Sequence, residues 1–367
     1  MRSSDIILYP CIPDIRKSLT AWYNQHRRTL PWRDTRDPYA IWVSEVMLQQ
    51  TRVNTVIPFY SKFLSAFPNI HALARAEISR VLKIWEGLGY YGRALRLHEA
   101  AHLLIRDFQG HMPEAYEDLR RLPGVGDYIA SAVLSMAFDQ PHAAVDGNVK
   151  RVLSRILCEK NPVNASSAPA VYKTHATRLL DADNPGMFNQ AMMELGALVC
   201  VAKKPVCGKC PIRLHCRALQ NRCVHGFPKR RKTGRIPEHH ISVGVVMKKG
   251  RLLITLRKPG GLLGGLWEFP GGRVENHETP EQACMRHMRE MLSVDVRVER
   301  FLTRVRHTYS HFKIVMDVFI CRWAGGRLRL NGPEDYQWIT PSQVHRYAFH
   351  KANHKFFSTL WESLANR

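Results

Sequence analysis

Apolar residues recur every three or four positions through the first two thirds of the chain and every second position after that, so the chain changes architecture once. Ile15, Leu19, Trp22 and Tyr23 share one face of a helix expected over Asp14–His26. Asp37-Pro38 reads as a helix start, with Asp as cap and Pro in the first turn. The helix that follows, YAIWVSEVMLQQT, is apolar nearly all round, and Glu45 is the only charge inside it. Residues 53–84 continue helically, with breaks expected at Pro58 and Pro68. Ala130, Val133, Leu134 and Ala137 form another apolar face, as do Val149, Val152, Leu153 and Ile156, and FNQAMMELGALVC adds one more helix. The chain therefore reads as all-α to about residue 216. Residues 217–238, RALQNRCVHGFPKRRKTGRIPE, break the pattern with prolines, glycines and a basic run, and read as a linker. From 239 the segments ISVGVVM, RLLITLR and KIVMDVFICRW alternate like strands around one helical segment at 279–292, giving a separate α+β domain over 239–367.

Several stretches carry candidate chemistry. In Leu122-Pro123-Gly124-Val125-Gly126, Pro123 stops a helix, and Gly124 and Gly126 permit positive φ. Asp127 is placed to cap the next helix. Exposed amides at Gly124, Val125 and Gly126, just before a helix N-terminus, would attract a phosphate, although taken alone this stretch reads first as an ordinary helix connection. Asp146-Gly147-Asn148 opens a further helix. Glu45 is expected to be partly desolvated, which raises a carboxyl pKa toward the range of a general acid. Leu30-Pro31-Trp32-Arg33 is a turn bearing an aromatic and a cation. Gly87-Leu88-Gly89-Tyr90-Tyr91-Gly92-Arg93 suits a loop that lays aromatics against bases and an Arg against phosphate, and equally a glycine-rich helix entry with core tyrosines.

Composition narrows the partner. Lys and Arg total 54 against 31 Asp and Glu, a net charge of +23, so a polyanion is expected, most often nucleic acid. A ribosomal or membrane-surface protein could carry the same excess. Hydrophobic residues make up 45% of the chain, enough for a sizeable core. No run of eighteen apolar residues exists, so no membrane partner is expected, and the start MRSSDIILYPCIPDIRKS is a poor secretory signal. Of nine cysteines, Cys200, Cys207, Cys210 and Cys216 are spaced C-x6-C-x2-C-x5-C. Four thiolates within seventeen residues can close around one metal centre, for which zinc is the generic expectation. Lys203, Lys204, Lys209 and Arg213 make that loop cationic.

These stretches together resemble known families. LPGVG resembles the hairpin of the helix-hairpin-helix DNA glycosylases, and Asp146 falls where that superfamily keeps its catalytic aspartate. The cysteine spacing resembles the [4Fe–4S] loop of the endonuclease III and MutY families. GLWEFPGGRVENHETPEQACMRHMREML resembles the Nudix signature: Gly272, Glu278, Arg286 and Glu290 match it. His287 and Met291 replace two of its acidic positions, so a Nudix-like fold without hydrolase activity is expected. From about residue 14 the whole chain, through LPWR, WVSEVMLQQT, GLGYYGRA, LPGVGDYIA, VDGNVKRVL, ELGALVC and LLGGLWEFPGG, resembles the MutY family of adenine DNA glycosylases.

The resemblance implies an all-α helix-hairpin-helix glycosylase domain over 1–216 with a [4Fe–4S] loop at 200–216, a linker at 217–238, and a Nudix-like 8-oxoguanine recognition domain over 239–367. It implies excision of adenine opposite 8-oxoguanine or guanine in double-stranded DNA. Glu45 would protonate adenine, most plainly at N7. Asp146 would stabilise the oxocarbenium-like sugar, directly or by brief covalent capture, and stay ionised at its helix N-terminus. Asn148 and Tyr128 would position that carboxylate. Arg33 and Gln190 would line the adenine pocket with Trp32 nearby. Gln50, Thr51, Leu88 and Tyr90 would touch or wedge the lesion-side strand once adenine flips out. Tyr309-Ser310-His311 aligns with the family's Phe-Ser-His loop, so Ser310 and His311 would sense 8-oxoguanine. Bifunctional relatives carry a Lys where this chain has Tyr128, and Tyr128 has no amine for a Schiff base. A monofunctional, monomeric enzyme leaving an abasic site is expected, in a bacterial cytoplasm near the nucleoid. An endonuclease III-like lyase, a Nudix hydrolase tethered to DNA and a non-catalytic DNA-binding module are the rival readings.

Overall fold

The computed structural model describes residues 11–232 and 234–365, so most of the segment read as a poor secretory signal lies outside the described residues. The chain divides into two compact units. One runs to Ala74 and resumes from Glu99 to the boundary at 233–234; the other joins Arg75–His98 to the chain from 234 onward. The change of period is where the architecture changes: described elements before residue 227 are helices, and every strand follows it.

In the helical unit, Ile12–His26, Pro38–Leu48, Val53–Ala66, Asp127–Ala137, Gly147–Leu157, Ala168–Leu179 and Pro185–Leu198 are the principal helices. Ile15, Leu19, Trp22 and Tyr23 are buried as their spacing requires. They join Val152, Leu153, Ile156, Phe188 and Leu195 in one core, so the first helix closes over the Gly147–Leu157 and Pro185–Leu198 pair. Asp37 caps the Pro38–Leu48 helix by accepting from the Tyr39 and Ala40 amides at 3.0 and 3.3 Å. That helix is buried on all sides from Tyr39 to Met47. Pro58 does not break its helix but sits inside Val53–Ala66, where its ring removes one backbone bond and Val56, Tyr60 and Phe63 hold the helix by burial.

Part of the stretch read as a linker is built into this unit. Arg217–Gln220 is a helical turn, and Ala218, Val224 and Phe227 are buried. The Val163 amide donates to the Lys229 carbonyl at 3.0 Å. No described helix is long and apolar enough to cross a membrane.

The second unit is a seven-stranded mixed sheet with helices. Its strands are β1 (Glu238–Lys248), β2 (Arg251–Leu256), β3 (Trp267–Glu268), β4 (Gly271–Arg273), β5 (Val294–Thr308), β6 (Lys313–Gly326) and β7 (Asp335–Ile339). The order is β3-β2-β1-β6-β5, with β4 on β1 and β7 on β2. Among the described strands the central β1–β6 pairing is parallel, from Glu238 opposite Lys313 to Met247 opposite Arg322, and the other strand pairs are antiparallel. The helix Pro280–Leu292 begins in a capping box, Thr279 with Gln282, and buries Ala283, Cys284, Met288 and Leu292. The other sheet face packs Phe269, Phe349, Phe356 and Leu360 against Val243, Ile254 and Val318.

The Asp37 carboxylate holds the first free amides of the buried helix. Asp37→Ala is expected to cost about 1 kcal/mol of stability and to speed amide exchange at residues 39–41; unchanged exchange there would contradict the cap.

Candidate active site

Glu45 projects from the Pro38–Leu48 helix and is 4% exposed, drier than the wet strip a surface glutamate would occupy. Its Oε2 accepts a short hydrogen bond from the Tyr128 hydroxyl, which comes from the first turn of the Asp127–Ala137 helix. Burial pushes the Glu45 carboxyl up to about 7, with the negative charge of Asp146 adding to the rise and the Tyr128 bond and Arg33 opposing it. Tyr128 is itself driven well above the ordinary phenol range by burial, so its hydroxyl remains a donor.

Asp146 caps the Gly147–Leu157 helix. The Val149 amide donates to its Oδ1 at 2.7 Å and the Asn148 Nδ2 to its Oδ2 at 2.8 Å. Both bonds favour the carboxylate, yet burial outweighs them and raises the pKa above the usual aspartate value. The helix start and Asn148 thus favour the ionised form of this group, and desolvation opposes them. Asn148 is locked in turn by Arg151, whose Nη2 donates to Asn148 Oδ1 at 2.8 Å and to the Gly196 carbonyl at 2.7 Å. A side chain at Gly196 would meet the Asn148 Cβ at 2.6 Å, so only glycine lets these two helices approach here.

Glu45 and Asp146 line one cavity of about 530 Å³ with Tyr128, Asn148, Trp32 and Arg33. Gln50, Thr51 and Gln190 also face it. Trp32 packs edge-on against Tyr60 with ring centroids 5.3 Å apart. Gln190 Oε1 accepts the Tyr23 hydroxyl at 2.8 Å. Gln50 holds φ at 56°, a left-handed turn directly after the helix that carries Glu45.

Sequence reasoning missed the anchor of this wall. Glu194, 1% exposed, accepts from Arg33 Nη1 and Nη2 at 2.9 and 2.6 Å and from Arg28 Nε and Nη2 at the same distances. Arg33 also lies 5.5 Å over the Tyr23 ring. These bonds hold the Glu194 carboxyl near 2 against the opposing effect of its burial. The available signal was spacing: Gln190 and Glu194 are four apart and share one helix face.

The turn at 122–126 differs from expectation in three places. Gly124 adopts φ of 79°, but Gly126 is extended at −84° and serves as the helix cap itself. Val125 is buried and its amide donates to Leu122 at 3.0 Å, so it is not a phosphate donor; the amides of Gly124 and Gly126 are left for that role. Asp127 does not cap the helix: its carboxylate accepts from Tyr116 at 2.7 Å and Lys173 at 2.9 Å.

Cys200, Cys207, Cys210 and Cys216 line a second, small cavity with Arg155. Short turns at Cys207–Lys209 and Arg213–His215 present the last three thiols. Arg155, 2% exposed, donates from Nη1 to Cys200 Sγ at 3.2 Å and to the Val201 carbonyl at 2.8 Å. Among the described residues, no three thiol, imidazole or carboxylate groups close tightly enough to hold a single ion.

In the other unit, Leu88 is buried and Tyr90 is 44% exposed. Arg93 is buried between Trp85 and Tyr90, donates to the Gly89 carbonyl and has its pKa lowered to about 10 by burial, so the core alternative holds for it and not a phosphate contact. Ser310 and His311 are exposed in the turn between β5 and β6. The Ser310 hydroxyl pairs with the Tyr90 hydroxyl at 2.8 Å. Tyr309, half-buried beneath that turn, stacks on Phe312 with centroids 4.7 Å apart. Arg286 takes up the signature acids, bonding Glu278 at 2.5 Å and Glu290 at 2.9 Å.

Two measurements test these electrostatics. Carbon-detected titration of Glu45 should give a midpoint near 7; Tyr128→Phe removes a bond that favours the carboxylate and should move the midpoint up, and a downward move would contradict the assignment. Glu194→Ala leaves the buried guanidinium of Arg33 and the part-exposed one of Arg28 without their anion and should cost about 3 kcal/mol. Because the folded pKa of Glu194 is lowered from 4.5 to about 2, its contribution is present above the unfolded value and lost as pH falls between these two.

Residues 43–168 match the model for the HhH-GPD superfamily of base excision DNA repair proteins, and residues 242–359 match a NUDIX domain. Human adenine DNA glycosylase is 34% identical over 93% of this chain and 73% of its own. The mouse adenine DNA glycosylase is 36% identical over 83% and 70%. A solved thermostable thymine-DNA glycosylase covers 57% of this chain and 97% of its own at 29% identity, with a TM-score of 0.54. A helix-hairpin-helix repair domain followed by a Nudix-like domain, alike along most of both chains to these relatives, places the protein in the adenine DNA glycosylase family.

Proposed function

We propose that this chain, an adenine DNA glycosylase of base excision repair and so a hydrolase of N-glycosyl bonds, excises adenine opposite 8-oxoguanine or guanine from double-stranded DNA. It acts as a monofunctional monomer and leaves an abasic site. The observation that carries the reading is the pair of acids, Glu45 and Asp146, lining one cavity with pKa values set by different surroundings.

With a pKa near neutrality, Glu45 holds a proton for part of the population at physiological pH. It gives that proton to adenine N7 as the C1′–N9 bond breaks and its electron pair leaves with the base. Asp146 stabilises the positive sugar left behind. Water then adds to C1′ and its proton returns to Glu45 or to solvent. Asn148 and Tyr128 keep the two carboxyls in place, and Arg33, Gln190 and Trp32 form the pocket wall. Gly124 and Gly126 take a backbone phosphate, while Gln50, Thr51, Leu88 and Tyr90 hold the strand opened by flipping. Tyr128 offers no amine, which supports a hydrolytic over a lyase outcome.

Ser310 and His311 sense 8-oxoguanine from the β5–β6 turn, within a recognition domain over 239–367 that follows the linker read at 217–238. Arg286 occupies the acids that magnesium would need, which supports a Nudix-like domain without hydrolysis. The spacing of the four thiols, which resembles a [4Fe–4S] loop, supports such a cluster over one zinc ion, and a buried guanidinium against one thiol is compatible with it. Cys200, Cys207, Cys210 and Cys216 would hold it. Its role is structural, fixing a cationic loop against DNA.

A duplex with adenine opposite 8-oxoguanine should release adenine and break only after alkali. Strand breaks without alkali would favour the lyase. Glu45→Gln should slow excision at least about 10²-fold, and an unchanged rate would remove Glu45 from the acid role. Purified protein should be brown and contain about four irons per chain, as the cluster requires; colourless, active, zinc-loaded protein would refute the iron assignment.

A further inference from the structure

Glu86 follows the helix Ile78–Trp85 and stands one residue before the loop 87–91, in the same compact unit as the sheet. Its side chain is 13% exposed, and it does not line the adenine pocket. An acid at a helix C-terminus meets the negative end of the dipole, so the helix itself gains nothing from this one. Three donors from elsewhere converge on it instead. The Phe349 amide donates to Oε1 at 2.8 Å, His354 Nε2 donates to the same oxygen at 3.0 Å, and the Lys83 ammonium makes a short bond to Oε2. Burial opposes the charge, yet these bonds hold the carboxyl below the usual glutamate range.

The same span is fastened at two further points. Lys83 Nζ also donates to the Tyr347 carbonyl at 2.9 Å, and the buried Tyr91 hydroxyl donates to the Phe349 carbonyl at 3.1 Å. Both backbone groups of Phe349 are therefore taken by residues that bracket the loop. Phe349 is fully buried in a core against which Tyr309 and Phe312 pack, and those two flank the Ser310 turn. Loop and turn are thus held on one core, and between them the Tyr90 and Ser310 hydroxyls stand 2.8 Å apart. Tyr90 has φ of 50°, with Gly87 and Gly89 before it at 99° and 80°. A side-chain-bearing residue keeps such a backbone only where its surroundings fix it.

We propose that Glu86 is a positioning residue for lesion preference: its carboxylate fastens the loop 87–91 to Phe349, keeps the Tyr90 hydroxyl on Ser310, and so sets how strongly adenine opposite 8-oxoguanine is chosen over adenine opposite guanine. The inference rests on the reading of Ser310 and His311 as the 8-oxoguanine sensor. A carboxylate is required, because an amide here would turn its NH2 group toward either Lys83 or the donors on Oε1.

The ratio of kcat/KM for adenine release from the two duplexes, measured with the full chain, tests it. A loss of active protein lowers both values alike and leaves their ratio unmoved. Glu86→Gln, close in size, should lower the preference at least about fivefold, the scale of a weakened hydrogen bond to a charged group. His354→Ala, at a 40% exposed site, removes one of the three donors and should lower it about twofold; it serves where Glu86→Gln does not fold. Ser310→Ala should lower the preference too, and combining it with Glu86→Gln should lose no more than Ser310→Ala alone. An unchanged ratio in Glu86→Gln, while Ser310→Ala lowers it, would overturn the role of Glu86 and leave the sensor standing. An unchanged ratio in Ser310→Ala would remove the sensor, and this inference with it. Losses that multiply in the combined variant would place the action of Glu86 elsewhere and overturn the inference. Without DNA, amide exchange over 87–91 and 310–312 should be faster in Glu86→Gln than in the unmodified chain; equal rates would overturn the clasp.

Discussion

Removing water from one carboxylic acid is the constraint from which the helical unit's chemistry follows. Glu45 sits on a helix buried on all sides, and its carboxyl accepts from a phenol that remains protonated. Asp146 is also desolvated but receives the donors of a helix start and of Asn148. Two groups of the same kind therefore lean toward opposite roles. The negative charge of Asp146 adds to the proton affinity that burial gives Glu45.

Charge management elsewhere obeys the same logic. A buried anion is tolerable only when bonded on every side, and Glu194 is, by two arginines whose guanidinium groups it holds at the cavity wall. The sheet unit repeats the device nearer the surface, where Arg286 gathers Glu278 and Glu290. In the first case pairing stiffens a reactive pocket. In the second it occupies carboxylates that would otherwise be open to a cation.

How much of this could be seen in the sequence depended on whether the cause was local. The dry setting of Glu45 was legible because its neighbours in the chain are themselves the walls. The Asp37 cap and the Thr279 helix start were legible because capping reaches only three residues. Glu194 was not singled out, since its partners stand more than 160 positions away. Pro58 was read as a break because local propensity ignores the burial of Val56, Tyr60 and Phe63. β5 escaped notice for a related reason: VDVRVERFLTRVRHT sits at the edge of the sheet, and its exposed arginines mask the alternation. Glu86 gave no signal either, because its partners Phe349 and His354 lie more than 260 positions away.

The Gly147–Leu157 helix joins two places that would otherwise be separate. Asp146 stands at its start, and Arg155, about 13 Å further along at the usual helical rise, grips the loop of cysteines. Arg151 lies between, reaching Asn148 with one nitrogen and the Cys200 carbonyl with another at 2.8 Å. The helix is thus a lever with its fulcrum in the core: a slackened cysteine loop frees its far end, and the tilt arrives at the aspartate. Corrosion of that loop would be felt as lost aim long before it was felt as unfolding.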